Sequence, residues 1–84
     1  MANPPPLPSM GKLRWQCRRG MLELDYALSE FLEARYPALD EEEQRGFVRL
    51  LDYEDQLLLD WLMGNAVPSD PATRLLIERI CRRA

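Results

Sequence analysis

The sequence predicts an all-α fold, a small five-helix bundle in a single domain. Apolar residues recur at spacings of three and four along most of the 84-residue chain, and no stretch alternates with a period of two. Helix start signals precede these stretches, and glycine or proline follows several of them. A chain of this length supports one hydrophobic core rather than two, so five short helices must share it.

The first two helices are predicted on either side of Gly20. Ser9 is suited to cap a first helix that runs to about Arg18. The second helix is predicted to end at Tyr36, because the residue before a proline such as Pro37 is disfavoured in the helical conformation. The apolar faces of the two helices comprise Met10, Leu13 and Cys17 in the first, and Leu24, Leu28, Phe31 and Leu32 in the second.

Three more helices follow in the second half of the chain. Asp40 opens the third, the fourth runs from Asp55 to near Gly64, and Asp70-Pro71 starts the fifth. Their predicted buried positions are Phe47, Val48 and Leu51, then Leu58, Trp61 and Leu62, and finally Leu76, Ile77 and Ile80. The acidic run 40–43 suits a solvated helix start, because carboxylates complement the helix dipole, and its alternative is a docking patch for a basic partner.

Composition and charge exclude several classes of protein. The net charge of −3 and the pI near 4.9 argue against a nucleic-acid partner. No apolar run approaches the roughly 20 residues that span a bilayer, and the start MANPPPLPSM has no signal-peptide pattern, so we expect no direct membrane insertion and a cytoplasmic location. Residues 1–8 are predicted to form a flexible proline-rich tail, and 9–84 the helical domain.

The residue types for catalysis or for holding a cofactor are scarce. The chain has no histidine, which removes the commonest general acid or base, and its four glycines are isolated, so there is no phosphate-binding loop. The sequence predicts a protein that is not an enzyme and that binds no metal and no cofactor stably. Cys17 and Cys81 are expected as reduced thiols in or near the core rather than as a disulfide.

The stretch QCRRGMLELD, residues 16–25, carries the residues that the bundle does not explain. Trp15 and Arg19 are four apart, as are Arg14 and Arg18, so these four side chains share the polar side of the first helix. A tryptophan there is either half-buried against the second helix with an arginine stacked on it, or part of a binding surface.

Gly20 raises a second question about the same stretch. Arg19 and Glu23 are four apart and could form an exposed ion pair in a continuous helix, but glycine in a helix interior makes that continuity doubtful. Gly20 is therefore either a plain helix stop or a stretch of bare backbone that another molecule approaches, with Arg19 and Glu23 beside it.

This stretch resembles the RGxxE signature of the SdhE-type succinate dehydrogenase assembly factors, some of which have been labelled CptB-type antitoxins. The pattern Arg19-Gly20-x-x-Glu23 has Trp15 upstream and is followed by Leu24-Asp25. The resemblance continues through FLEARYPALDEEEQRGFVRLLDYEDQLLLDWLMG to Asp70, and so covers most of the chain after the proline tail.

The resemblance implies a five-helix bundle that binds the flavoprotein subunit of succinate dehydrogenase, and in some bacteria that of fumarate reductase. It implies that the chain promotes covalent attachment of FAD to that subunit, with the flavin belonging to the partner. The site it implies comprises Arg19, Gly20 and Glu23, with Arg14, Trp15, Arg18 and Asp25 as further candidates for the same face. In this scheme Glu23 orients Arg19 or accepts from the partner, and Arg19 contacts the partner's polar groups.

Two other readings remain open from the sequence. One is an antitoxin-like regulatory adaptor for another protein, and the other is a small nucleic-acid binder that uses Arg14, Arg18 and Arg19. A short acidic stretch with Asp52, Glu54 and Asp55 is expected either to contact the partner or to cap a helix.

Overall fold

Five α-helices and one short 3-10 turn make up the described part of the chain, residues 6–82, in a computed structural model. The helices are α1 (Met10–Gln16), α2 (Leu22–Ala34), α3 (Glu41–Leu50), α4 (Asp55–Met63) and α5 (Pro71–Cys81), and the 3-10 turn is Tyr36–Ala38. Residues 6–82 contain no strand, so the predicted all-α bundle is confirmed. Most of the predicted tail, residues 1–5, lies outside the described residues.

The helix starts follow from their capping residues. Asp40 accepts a hydrogen bond from the Glu43 amide at 2.8 Å, and the Glu43 carboxylate accepts one from the Asp40 amide, which closes a capping box at the start of α3. Asp70 accepts from the Thr73 amide at 2.9 Å before α5, and this bond lowers the pKa of Asp70 below its ordinary value. The acidic run 40–43 therefore starts a helix, which is the first of the two interpretations given for it.

Two of the predicted helix ends are shifted. The first helix ends at Gln16 rather than Arg18, because the chain leaves the helix at Cys17 to enter the turn at Gly20. The second ends at Ala34 rather than Tyr36, and the 3-10 turn that follows contains Pro37. Proline is tolerated there because the first residues of a helical turn need no amide donor. The stop near Gly64 is confirmed, since Gly64 takes the left-handed conformation with φ of 81°.

The core lies around α2, which packs against α1, α4, α5 and the 3-10 turn. The stripe predicted for α2 is buried along its whole length. An aromatic cluster closes one end, where the Phe47 ring lies 5.5 Å from both the Phe31 and the Tyr36 ring centroids. Phe47 is fully buried, so its ring is one of the contacts that fasten α3 to α2.

The predicted core is not confirmed at every position. Val48 and Leu62 are only partly buried and pack against the core from its edge. Cys17 is fully buried, but Cys81 lies on the exposed side of α5, so the core position expected for both thiols holds for Cys17 alone. Trp61 is buried as predicted, with the Tyr53 ring edge-on at 4.9 Å.

The two thiols should differ in reactivity because of this burial. Desolvation raises the pKa of Cys17 to about 11, so that its reactive thiolate is scarce near pH 8. We expect a thiol reagent at about pH 8 to modify Cys81 alone in the native chain, and both cysteines after denaturation. Titration with a chromogenic disulfide checks this, and a Cys81→Ala variant should show no fast phase. Equal native rates for the two thiols would contradict the burial of Cys17.

Within residues 6–82 no helix is both long enough and apolar enough to cross a membrane.

Candidate functional site

The link between α1 and α2 turns sharply at Gly20. We call residues 18–21 the Gly20 turn. Gly20 has φ of 79°, a conformation that costs other residues roughly 1 to 2 kcal/mol, which explains the glycine locally. A Cβ built on Gly20 would meet nothing within 4 Å, so the glycine is not needed to make room for this chain's own atoms. The outer side of the turn is open to another molecule.

Asp25 holds the Gly20 turn in this conformation. Its carboxylate accepts hydrogen bonds from two successive amides, that of Arg19 at 2.7 Å and that of Gly20 at 3.1 Å. Met21, the residue before α2, has no capping side chain. Asp25 does not replace that cap, because the two amides it binds precede the helix, but it fastens the Gly20 turn to the first turn of α2. The sequence placed Asp25 on the partner-binding face, and the structure gives it this internal role.

The Arg19 side chain folds inward from the Gly20 turn, toward the connection between α3 and α4. We call residues 51–55 the acidic turn. Arg19 Nε donates to the Gln16 carbonyl at 2.7 Å, and Nη1 lies 2.8 Å from Asp55 Oδ1 and 3.4 Å from the Tyr53 carbonyl. Nη2 donates to the Leu51 carbonyl. Only 15% of the Arg19 side chain is exposed.

Glu23 does not make the contact that its spacing from Arg19 suggested. The ionic partner of Arg19 is Asp55, which is 36 residues away, and not Glu23 four residues away. Glu23 lies exposed in the first turn of α2, and its carboxylate makes no hydrogen bond or ion pair within residues 6–82. It is therefore available to a second molecule.

The other predicted site residues on α1 and the Gly20 turn differ in whether their side chains are bound within this chain. Trp15 is 71% exposed, which rules out the half-buried alternative. Arg18 is also exposed, and its side chain makes no hydrogen bond or ion pair within residues 6–82. Arg14 instead pairs with Glu33 near the end of α2, with Nη2 at 3.1 Å from Oε1, and this hydrogen bond lowers the pKa of Glu33.

An apolar groove lies beside Glu23, and it was not predicted from the sequence. Leu22 is 87% exposed and Tyr26 52%, and with Met63 on α4 they line an open groove of about 740 Å³ between α2, α4 and α5. The sequence feature that could have indicated the groove is the spacing of Leu22 and Tyr26, which are four apart and lie off the stripe that starts at Leu24. Their exposure shows that α2 carries apolar side chains on two faces, of which one faces solvent.

The sequence of the chain is similar to that of a family of known proteins. A model of the Sdh5 family, described as the flavinator of succinate dehydrogenase, matches residues 11–84. The chain belongs to this family. It is 45% identical over 69 residues to the FAD assembly factor SdhE of Coxiella burnetii, an alignment that covers 82% of this chain and 84% of the relative.

Two further relatives show the same extent of similarity. The FAD assembly factor SdhE of Shewanella oneidensis is 40% identical over 78 residues, covering 93% of this chain and 95% of that protein. The SdhE of Pectobacterium atrosepticum is 42% identical over 72 residues, covering 86% and 82% respectively. The three alignments cover 82% to 95% of the relatives, and the family match includes the Gly20 turn and the five helices apart from Met10, the first residue of α1.

Proposed function

We propose that this chain binds the flavoprotein subunit of succinate dehydrogenase and promotes covalent attachment of FAD to it. The observation that carries the proposal is the family match over residues 11–84, because the family is described as the flavinator of that enzyme. The names of the three relatives, FAD assembly factor, support the same role. These names do not mention fumarate reductase, so the proposal takes succinate dehydrogenase alone as the client.

The proposed contact surface is centred on the Gly20 turn. Gly20 leaves the backbone open, Glu23 offers an unpaired carboxylate, and Trp15 offers a large exposed ring. Tryptophan is among the residues that concentrate binding energy at protein interfaces, and a free carboxylate can accept a charged hydrogen bond. Arg14, Arg18 and Asp25 belong to the same face, with Arg18 free to contact the partner and the other two holding the chain in place.

The proposed mechanism is a shift of population in the partner. Binding stabilises the conformation of the flavoprotein in which the flavin and its acceptor residue are aligned, and the partner's own groups form the covalent bond. This chain takes no chemical step and holds no flavin stably, a role that suits a sequence without histidine. The encounter is proposed to take place in the cytoplasm.

The experiment is co-expression of this chain with the flavoprotein in cells that lack their own factor. Covalent flavin is read as fluorescence of the flavoprotein band on a denaturing gel, and the complex is recovered through a tag on this chain. Both signals are expected with the unaltered chain. Recovery of a different protein, without gain of covalent flavin, would contradict the proposal and favour a regulatory adaptor.

A matched pair of variants tests the role of Glu23 within that experiment. Glu23→Gln should weaken binding by about tenfold or more, since a charged hydrogen bond across an interface is typically worth more than about 1.4 kcal/mol. Glu42→Gln is the control, because Glu42 is also an exposed carboxylate in the first turn of a helix, in its case α3. Equal affinities for the two variants would remove Glu23 from the contact surface.

A further inference from the structure

The Arg19 guanidinium has few N–H donors left for another molecule. Four of its five N–H donors are used within the chain, one by Gln16 and three by the acidic turn. Its backbone amide is used as well, since it donates to Asp25. Both the main chain and the side chain of Arg19 are therefore held by contacts that lie inside this protein.

We propose that Arg19 is a positioning residue that anchors the Gly20 turn to the acidic turn and does not itself contact the partner. The inference rests on the proposed function, because it concerns how the contact surface of that function is kept in shape. Asp25 holds the Gly20 turn from the side of α2, and Asp55 holds it through Arg19 from the side of α4. With both anchors in place, Gly20 and Glu23 are presented to the partner in one arrangement.

The energetics favour positioning over contact. To reach a partner, the guanidinium would have to leave Asp55 and two backbone carbonyls, those of Leu51 and Tyr53, in a site where it is only 15% exposed. Hydrogen bonds to charged groups are among the strongest in proteins, and breaking several of them opposes binding. Arg18, the preceding residue, carries the same charge on an exposed side chain and could contact a partner without such losses.

Pre-organisation explains why an internal anchor would affect binding. A turn that fluctuates between conformations must be ordered when the partner binds, and this cost weakens the observed affinity. The Gly20 turn is prone to fluctuate, because glycine has more backbone freedom than any other residue. Loss of either end of the Arg19–Asp55 pair should therefore have the same consequence for binding.

The test is a double-mutant cycle on Arg19→Gln and Asp55→Asn in the full chain, with the flavoprotein subunit as the ligand. Each single variant is expected to weaken binding by about tenfold, and the double variant by about tenfold rather than a hundredfold, because both remove the same anchor. The controls are Arg74→Gln and Asp52→Asn, which remove the same charges at exposed positions that lie outside the proposed contact surface and do not join the two turns. Both controls should bind within about twofold of the unaltered chain.

A second measurement uses the free chain and separates positioning from contact. Hydrogen exchange at the Gly20 amide, which donates to Asp25 at 3.1 Å, should be faster in Arg19→Gln and in Asp55→Asn and unchanged in the controls. Unchanged exchange in Arg19→Gln together with lost binding would overturn the inference and make Arg19 a direct contact. So would additive losses in the cycle, or full binding by Asp55→Asn.

The outcomes for the inference and for the proposed function can be told apart. If the unaltered chain fails to bind the flavoprotein, the proposed function fails, whatever the exchange rates show. If the unaltered chain binds and the cycle is additive, the function stands and the positioning role of Arg19 is overturned.

Discussion

Gly20→Glu is expected to abolish covalent flavin attachment in the partner while leaving the bundle folded. A side chain at this position would project into the open space outside the Gly20 turn, where no atom of this chain lies within 4 Å of the Cβ. It would stand where the partner is proposed to approach the backbone, next to Glu23. The backbone strain at φ of 79° should lower the free energy of unfolding by roughly 1 to 2 kcal/mol. Flavin fluorescence of the flavoprotein band and a urea titration measure the two effects.

Gly64→Glu is the matched control for this variant. Gly64 has φ of 81°, and a Cβ there also meets nothing within 4 Å, so the strain and the added side chain are the same. Gly64 ends α4 and lies outside the proposed contact surface. We expect equal losses of stability in the two variants and loss of flavin attachment in Gly20→Glu alone. Loss in both would make the effect one of stability, and loss in neither would remove the Gly20 turn from the site.

Phe47→Ala is expected to cause the largest loss of stability of any single truncation in the core. The ring is fully buried and packs against the Phe31 and Tyr36 rings, so its removal leaves a cavity between α2, α3 and the 3-10 turn. Such truncations cost about 3 to 5 kcal/mol, and a chain of this length has roughly 4 to 12 kcal/mol in total. A large share of the chain should therefore be unfolded at 37 °C, as thermal denaturation followed by circular dichroism would show.

Leu75→Ala serves as the comparison for Phe47→Ala. Leu75 is 60% exposed on α5, so its truncation should change the free energy of unfolding by less than about 1 kcal/mol. A loss for Phe47→Ala no greater than that for Leu75→Ala would mean that the aromatic cluster does not fasten α3 to α2.

The fold was predictable because its signals are local. Asp40 and Asp70 mark helix starts through hydrogen bonds to residues three positions on, and Gly64 marks an end through its own backbone angle. Each of these is visible in a window of a few residues. The shifted end of α2 was not predictable in the same way, because competition between an α-helix and a 3-10 turn depends on packing around Tyr36.

The sequence predicted which residues form the site, and that set stays a prediction, but it did not predict the contacts that these residues make. The spacing of Arg19 and Glu23 suggested a local pair, whereas the tertiary fold brings Asp55 to Arg19 from another pair of helices. Whether Trp15 is buried also depends on where α2 lies relative to α1, which periodicity alone does not determine. Long-range partners and the exposure of single side chains are therefore the parts that needed the structure.

The way Arg19 is bound determines which nearby positions can vary. Two of its acceptors are backbone carbonyls, those of Leu51 and Tyr53, and every amino acid supplies a carbonyl in the same place. Side chains at these two positions can therefore be exchanged without removing the hydrogen bonds, as long as the core contacts of Leu51 are kept. Position 55 has no such freedom, because its contribution is a carboxylate. Sequence drift in the acidic turn should thus be tolerated at positions 52 and 54, whereas position 51 must stay apolar and position 55 must stay acidic.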